Sequence, residues 1–294
     1  YPAAASLSRR PKKGADMTIT RRRMRPDAGG EGNPLAVLVS EQDRETISMV
    51  EDAMRARRVR LAFQPVVMGS NPERVLFHEG LIRLMDVSGR TIPARDFMAA
   101  VEERELGRQI DCAALELGLE TLARHTDIRI SVNMSARSIG YPRWMKILKK
   151  GLQRSPTIGE RLILEITESS AMLVPEIVSA FMDDLQREGI AFALDDFGAG
   201  FTAFRHLKDF FFDIIKIDGQ FIRNIHRDPD NQVLTRALIA IARQFEMFAV
   251  AEAVETPEEA AFLRAIGIDC MQGYLFGAPT VQPSFMAPLT RARA

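Results

Sequence analysis

Short apolar segments alternate with longer amphipathic segments from about residue 40 onward. Short apolar runs between turn-forming residues are typical of buried strands, whereas apolar positions that recur every three or four residues are typical of helices. The pattern predicts strands at Leu61–Val67, Val75–Leu84, Ile128–Asn133, Leu162–Thr167, Ile190–Asp195, Ile214–Ile217, Phe248–Ala251 and Ile268–Met271. It predicts helices at Glu41–Arg58, Ala94–Glu105, Gln109–His125, Pro142–Leu152, Val174–Glu188, Asn231–Gln244 and Pro257–Ile266.

Strands that alternate with helices in this number favour a closed α/β barrel of the TIM type over an open sheet. The connection from Val67 to Val75 is too short for a crossover helix, so the first two strands should be antiparallel. The predicted fold is therefore a modified (βα)8 barrel with one antiparallel strand. Residues 39–290 should form this single domain. Residues 1–38, which are rich in Arg and Lys, should form a disordered basic tail.

Composition narrows the classes of function. The chain has 39 Lys and Arg residues against 39 Asp and Glu residues, a balance that does not suggest a protein that binds DNA or RNA polymers. Its only cysteines, Cys112 and Cys270, lie far apart and without a Cys/His cluster. Neither a disulfide framework nor a structural zinc site is indicated, and a reducing cytoplasm is expected. No apolar run is long enough to predict a transmembrane segment.

Two adjacent carboxylates, Asp195 and Asp196, end the fifth apolar run and are followed by Gly198. Neighbouring carboxylates raise each other's pKa unless a cation neutralises them, so the pair suggests a divalent ion with oxygen ligands. The two side chains would point to different sides of a regular strand, and they can share one site only if the backbone is turning there. Taken alone, such a pair more often means an Asp that caps the next helix beside a solvated Asp.

Polar residues also occur within or directly after the other apolar runs, at the end of the strands where this class of barrel carries its chemistry. They are Glu79, Arg83, Asn133, Glu165, Glu168, Lys216, Asp218, Glu252, Glu255 and Gln272. Each alone could be a salt-bridged core residue, a turn former or a cap, but their convergence at one face favours a site. Carboxylates with an amide and a lysine suit Mg²⁺ or Mn²⁺ and not zinc. Two cations that share Asp195 would suit phosphodiester hydrolysis, with Lys216 beside the attacking hydroxide or the phosphate.

With these spacings the chain resembles the EAL family of bacterial cyclic-di-GMP phosphodiesterases over roughly residues 55–285. The resemblance rests on motifs that occur in the family's order. They are Phe63-Gln64-Pro65, Glu79-Gly80-Leu81-Ile82-Arg83, Ile92-Pro93 with Phe97, Val132-Asn133-Met134-Ser135, Glu165-Ile166-Thr167-Glu168, Asp195-Asp196-Phe197-Gly198, Lys216-Ile217-Asp218, Ala251-Glu252-Ala253-Val254-Glu255 and Gln272-Gly273-Tyr274. The resemblance also implies a barrel with one reversed strand.

Site roles follow from the resemblance alone. It implies a first metal held by Glu79, Asn133, Glu165 and Asp195, and a second held by Asp195, Asp196 and Glu252. Lys216, Glu252 and Gln272 would be the catalytic groups, with Lys216 and Gln272 at the attacking water or its metal shell. Gln64, Arg83 and Asp218 would contact the substrate. Glu168 and Glu255 would be loop-anchoring residues, with Glu168 holding the loop of residues 197–204 at a dimer-forming face.

The sequence departs from the family pattern at three places: Gly80 replaces the signature alanine, Ala253 replaces a glycine, and residues 198–204 read Gly-Ala-Gly-Phe-Thr-Ala-Phe. None removes a predicted ligand, although a positive φ at Ala253 would strain Glu252. The expected function is hydrolysis of cyclic-di-GMP to linear pGpG by a homodimer, with two Mg²⁺ or Mn²⁺ ions per active site, in bacterial second-messenger signalling. The alternatives are a cyclic-di-GMP receptor that does not hydrolyse its ligand and an interaction module.

Overall fold

The structure, a computed structural model, describes residues 34–199, 207–208 and 210–287, with side chains from residue 41 onward. Its strands are β1 (Val59–Met68), β2 (Asn71–Met85), β3 (Thr91–Pro93), β4 (Ile130–Asn133), β5 (Leu162–Thr167), β6 (Ala191–Phe197), β7 (Ile214–Ile217), β8 (Phe248–Ala251) and β9 (Cys270–Gln272). Its α-helices are α1 (Pro34–Arg55), α2 (Met98–Val101), α3 (Glu105–Arg124), α4 (Pro142–Leu152), α5 (Glu168–Leu173), α6 (Pro175–Gln186), α7 (Gly219–Ile222), α8 (Pro229–Gln244) and α9 (Pro257–Ala265).

All eight predicted strands are confirmed, and the short β3 is an addition. The prediction of one helix over Ala94–Glu105 is wrong. A 3₁₀ turn at Ala94–Asp96 leads into α2, and α3 then begins at Glu105. A Cβ atom at Gly107 would lie 2.6 Å from the carbonyl oxygen of Glu102, so a side chain there would prevent this close approach of the chain between the two helices.

The sheet closes into a barrel of eight strands. β2, β4, β5, β6, β7, β8 and β9 are parallel neighbours in that order, and β1 pairs antiparallel with both β9 and β2. β3 pairs antiparallel with the end of β2 and lies outside the closed ring. The modified (βα)8 barrel with one reversed strand is therefore confirmed. The short link between Met68 and Asn71 accounts for the reversal, because it leaves no room for a crossover helix.

Alternation along the strands separates two apolar clusters. In β5, Leu162, Leu164 and Ile166 belong to the large core that includes the helices, whereas Ile163 belongs to a second, inner cluster. Successive side chains of a strand face opposite sides, so this inner cluster lies within the barrel. It is formed by Val66, Phe77, Ile163, Ala193, Ile214, Val250 and Cys270, one from each of seven strands. We call these residues the apolar floor.

The contacts divide the chain into two units, Tyr1–Ser40 and Glu41–Ala294, and the barrel belongs to the second. Within the described ranges, no helix combines the length and the apolar character needed to cross a membrane. The basic tail predicted for residues 1–38 lies almost entirely outside the described residues, as do residues 200–204 of the predicted dimer-face loop.

Glu259 on α9 holds two loops together. Its Oε2 accepts hydrogen bonds from the backbone N–H groups of Glu255 (2.9 Å) and Thr256 (3.0 Å), and its Oε1 accepts one from Asn224 (2.7 Å). Thr256 completes a capping box with it at the start of α9. Burial opposes the charged form of Glu259, but these hydrogen bonds outweigh burial and lower the pKa of its carboxyl below 4.5.

Replacing Glu259 with Gln should destabilise the protein at neutral pH by about 1–3 kcal/mol, because an amide offers one acceptor oxygen where the carboxylate offers two. The contribution of a carboxylate with a lowered pKa is present above its unfolded pKa and is lost as the pH falls through its folded pKa. The difference in the free energy of unfolding between the parent protein and E259Q should therefore become smaller below about pH 4.5. Urea unfolding of both proteins over a pH series measures this difference.

The exposed neighbour Glu258 provides the matched control. E258Q should stay within about 0.5 kcal/mol of the parent protein, as surface substitutions usually do. An E259Q variant as stable as E258Q at pH 7 would show that the three backbone hydrogen bonds contribute nothing.

Candidate active site

The interior layer directly above the apolar floor is polar. Seven strands each contribute one side chain to it, and an eighth comes from the residue that follows β8. The pairing of Gln64 with Glu79 and of Asn133 with Glu165 places these side chains at one level of the barrel. The eight members, which we call the polar layer, are Gln64, Glu79, Asn133, Glu165, Asp195, Lys216, Glu252 and Gln272.

Lys216 lies at the centre of the polar layer, with its side chain 1% exposed. Its Nζ is 2.8 Å from Glu165 Oε2 and 2.8 Å from Glu252 Oε1. It is also 3.0 Å from Asp195 Oδ1 and 3.4 Å from Glu79 Oε2. Burial alone would favour the neutral amine, but the four carboxylates outweigh it and raise the pKa of Lys216 well above 10.5. The four carboxylates therefore favour the charged, ammonium form of the lysine.

One lysine does not neutralise the carboxylates around it. Burial, followed by repulsion from Glu79, raises the pKa of Glu165 well above its usual range. Burial raises the pKa of Glu252 to about 8, against the attraction of Lys216. Burial and the neighbouring Asp195 raise the pKa of Asp196 to about 6. The ionised form of these three carboxyls is therefore disfavoured here, and additional cations would stabilise it.

Glu79 is the exception among these acids, because amide groups donate to it. Gln272 Nε2 donates to Glu79 Oε2 over 2.6 Å, and Asn133 Nδ2 donates to Glu79 Oε1 over 2.9 Å. Burial opposes ionisation, but the attraction of Lys216 and these hydrogen bonds lower the pKa of Glu79. Gln272 Nε2 also lies 3.1 Å from Gln64 Oε1. The amides thus fix the orientation of a carboxylate that stays ionised.

Asp196 reaches the site because the strand turns there. Its φ is 55°, in the left-handed region, and the pairing of β6 with β7 shifts register between Leu194 and Phe197. A carboxylate oxygen of Asp196 therefore comes within 4.8 Å of one from Asp195 and one from Glu252. This confirms that the backbone turns as the adjacent aspartates require. A regular strand would have directed the two side chains to opposite faces.

The carboxylates form two groups that could each hold a divalent ion. Glu79, Glu165 and Asp195 each offer an oxygen within 4.8 Å of the others, and so do Asp195, Asp196 and Glu252. Asp195 belongs to both groups. The buried Glu165 Oε1 has no hydrogen-bond partner among the described residues, so it is free to coordinate. An all-oxygen set of this kind fits Mg²⁺ or Mn²⁺.

A cavity of about 320 Å³ opens above this centre. Gln64, one of the predicted substrate contacts, lines it, whereas Arg83 and Asp218 do not. Arg83 is half-buried on β2 and interacts electrostatically with Glu79. Asp218 accepts a hydrogen bond from the backbone N–H of Gln220 over 2.7 Å and caps α7. Only the first of the three therefore lies on the cavity wall.

The two predicted loop anchors are placed differently. Glu168 is buried, and its Oε2 accepts a hydrogen bond from the N–H of Gly198 over 3.0 Å. Glu255 is exposed and lines the cavity. Sequence reasoning missed Arg223 and Tyr274, which also line the cavity. No period or motif marks Arg223 as facing the site, whereas Tyr274 belongs to the motif Gln272-Gly273-Tyr274 but was assigned no role.

Ala253 is held in a left-handed conformation, with a φ of 52°. Its two neighbours bind the two strands that flank β8. The Glu252 N–H donates to Ile217 O of β7 over 3.2 Å, and the Val254 N–H donates to Gln272 O of β9 over 3.0 Å. The strain expected at this departure from the family pattern is thus present. It lies directly beside a predicted metal ligand. A Cβ atom at Gly219 would lie 2.6 Å from the methyl group of Ala253.

A model of the EAL domain family matches residues 47–279. The chain belongs to the EAL domain family. The EAL chain is 28% identical over 253 residues to the bifunctional diguanylate cyclase/cyclic di-GMP phosphodiesterase MucR of Pseudomonas aeruginosa, covering 84% of this chain and 37% of that protein. It is 30% identical over 237 residues to the cyclic di-GMP phosphodiesterase PdeR of Escherichia coli, covering 79% of this chain and 36% of that protein.

Among solved structures, the PaMucR phosphodiesterase in complex with c-di-GMP superimposes on the EAL chain with a TM-score of 0.73. The match has 28% identity and covers 80% of this chain and 97% of that one. The EAL chain spans little more than a third of the length of the two curated relatives above. The match in sequence and in fold therefore concerns one domain of those larger proteins.

The effects of side-chain size at positions 219 and 253 on the free energy of unfolding should be coupled. In the parent protein, Gly219→Ala should destabilise by about 1–3 kcal/mol, because the new methyl group would overlap that of Ala253. In an Ala253→Gly background the same change should cost at least about 1 kcal/mol less. Urea unfolding of the four proteins of this cycle gives the coupling energy. Effects that add to within about 0.5 kcal/mol would show that the two methyl positions do not compete.

Proposed function

We propose that this EAL domain is a metal-dependent phosphodiesterase that hydrolyses cyclic-di-GMP to linear pGpG. The observation that carries the proposal is the sharing of Asp195 between two carboxylate groups, each of which can hold one divalent ion. Two-metal centres are a common solution for phosphodiester hydrolysis. The cavity above the centre and the named activities of the relatives support the same substrate.

The metal assignment follows the two carboxylate groups. Mg²⁺ or Mn²⁺ would be bound in one position by Glu79, Asn133, Glu165 and Asp195, and in a second by Asp195, Asp196 and Glu252. When bound, such ions make water a stronger nucleophile and stabilise the charge on the phosphate. Asn133 currently donates to Glu79 with its amide nitrogen. Its amide oxygen would be its ligand atom.

The catalytic roles of the chain itself centre on Lys216 and Gln272, with Glu252 beside them. Since the pKa of Lys216 is raised, its ammonium group does not act as a base. It orients Glu165 and Glu252 and provides positive charge where the phosphate develops negative charge. Gln272 Oε1 is buried without a hydrogen-bond partner in the described part of the chain. In the proposed reaction it would accept a hydrogen bond from the attacking water.

We assign substrate binding to Gln64, Arg83 and Asp218, and loop anchoring to Glu168 and Glu255. The position of Gln64 on the cavity wall and the Glu168–Gly198 hydrogen bond support these roles. We also assign a homodimer, which the exposed apolar side chains of Leu173 (76%) and Ile177 (54%) support. The unpaired, buried Cys112 and Cys270 are consistent with our assignment of the reaction to a reducing cytoplasm.

Incubation of the purified protein with cyclic-di-GMP and Mg²⁺ or Mn²⁺, followed by chromatography, tests the proposed function. The expected product is pGpG, and EDTA should prevent its formation. Glu79→Ala and Asp195→Asn should each lower turnover by more than about a hundred-fold, because each removes a proposed metal ligand. Undiminished turnover in either variant would contradict the metal assignment.

Asp183 provides the control, because it is an exposed carboxylate that pairs only with Arg187 on the outer surface of α6 among the described residues. D183N should leave turnover unchanged. Tight binding with the dinucleotide recovered intact would indicate a receptor that does not hydrolyse its ligand. The absence of binding would leave an interaction module.

A further inference from the structure

Arg223 is an exposed cation on the wall of the active-site cavity. It follows α7 directly, and its backbone N–H donates to Gly219 O over 3.0 Å. Across the described residues, its guanidinium makes no ion pair or hydrogen bond. Lys216 is the other cation on this wall, and four carboxylates already enclose it. Arg223 is therefore the cation on the cavity wall that remains available to an incoming ligand.

The backbone on both sides of Arg223 is fixed, so the exposed side chain starts from a defined position. Ile222 and Ile225 are both fully buried in the core. Asn224, with a φ of 56°, donates its N–H to Glu259 Oε1 over 2.7 Å. The other oxygen of Glu259 holds the backbone of Glu255, which lies on the same wall of the cavity. One buried carboxylate thus holds the backbone beside Arg223 and the backbone of Glu255.

A cyclic dinucleotide has negative charge that a cation at the rim of the cavity can bind. A cyclic dinucleotide carries two phosphates, and the metal centre can take only the one that is cut. The second phosphate and the base beside it remain to be bound at the rim. Phosphate oxygens and the O6 and N7 atoms of guanine are all acceptors that a guanidinium can contact in a bidentate manner.

We propose that Arg223 is a specificity-determining residue that binds the acceptor atoms of the half of the dinucleotide lying away from the metal centre. This inference rests on the proposed function. Arg223 contributes to substrate affinity and to the choice of substrate, while the polar layer performs the reaction. The contact is made by the guanidinium, so a neutral side chain of similar length cannot replace it.

Arg223→Gln tests the proposal, with Arg227→Gln as the matched control. Arg227 is exposed, lies one turn further along the same segment and does not line the cavity. In R223Q, the KM for cyclic-di-GMP should rise about ten-fold, since a hydrogen bond to a charged group is lost. The KM of R227Q for cyclic-di-GMP should stay within two-fold of the parent value. The affinity for Mn²⁺, measured by titration without nucleotide, should be the same in all three proteins.

Competition by cyclic-di-AMP distinguishes the two acceptors. If Arg223 binds the phosphate, R223Q weakens inhibition by cyclic-di-AMP as much as it raises the KM for cyclic-di-GMP. If it binds the guanine edge, only the KM for cyclic-di-GMP rises, because adenine presents an amino donor in place of O6. Either pattern supports the proposal.

A KM in R223Q within two-fold of the parent value would overturn the proposal. A loss of Mn²⁺ affinity in R223Q as large as its rise in KM would also overturn the proposal, because it would show that Arg223 acts through the metal centre. A parent protein that neither binds nor cleaves cyclic-di-GMP would remove the proposed function itself. A parent protein that is active while R223Q is unaffected would remove only the role of Arg223.

Discussion

The ammonium group of Lys216, enclosed by four carboxylates inside the barrel, is the interaction on which the site depends. Carboxylates this close to one another would repel and take up protons if no cation stood between them. The lysine keeps Glu79 ionised, but burial still raises the pKa of Glu165, Glu252 and Asp196. Divalent cations would favour the ionised form of these acids, and this is the physical argument for the proposed metal centre.

The barrel supplies this arrangement by stacking one layer on another. In each parallel strand of the barrel, an apolar floor residue or a small residue beside it comes two residues before the position of the polar side chain. In the reversed β1 the order is inverted, and Gln64 comes two residues before Val66. Buried acids on the surrounding helices then hold the loops. Asp111 on α3 accepts from Ser135 N–H and Ser138 Oγ, after β4. Glu168 on α5 holds Gly198, and Glu259 on α9 holds the loops after β7 and β8.

Much of the fold was predictable because its signals are local. The apolar runs marked all eight barrel strands, and the short link after Met68 marked the reversed one. Polar residues at the strand ends marked the polar layer, because alternation puts every second residue of a strand inside the barrel. Their roles as metal ligands and catalytic groups remain predictions.

The rest depended on contacts between segments distant in sequence. The break between α2 and α3 follows from the close approach at Gly107, which a helical pattern does not show. The position of Arg223 on the cavity wall depends on Glu259, which is 36 residues further along the chain. The left-handed backbone at Ala253 depends on hydrogen bonds of its neighbours to β7 and β9. No property of an alanine in a sequence marks such a position.

Electron paramagnetic resonance during a Mn²⁺ titration tests the central claim most directly, because it counts the bound ions and detects their interaction without requiring turnover. The expected result is two Mn²⁺ per chain with a spin-coupled spectrum, since ions that share a carboxylate in two-metal sites lie about 3.5–4 Å apart. The coupling should disappear in Asp195→Asn, which removes the shared ligand. A single bound ion, or a coupled pair that persists in this variant, would contradict the account.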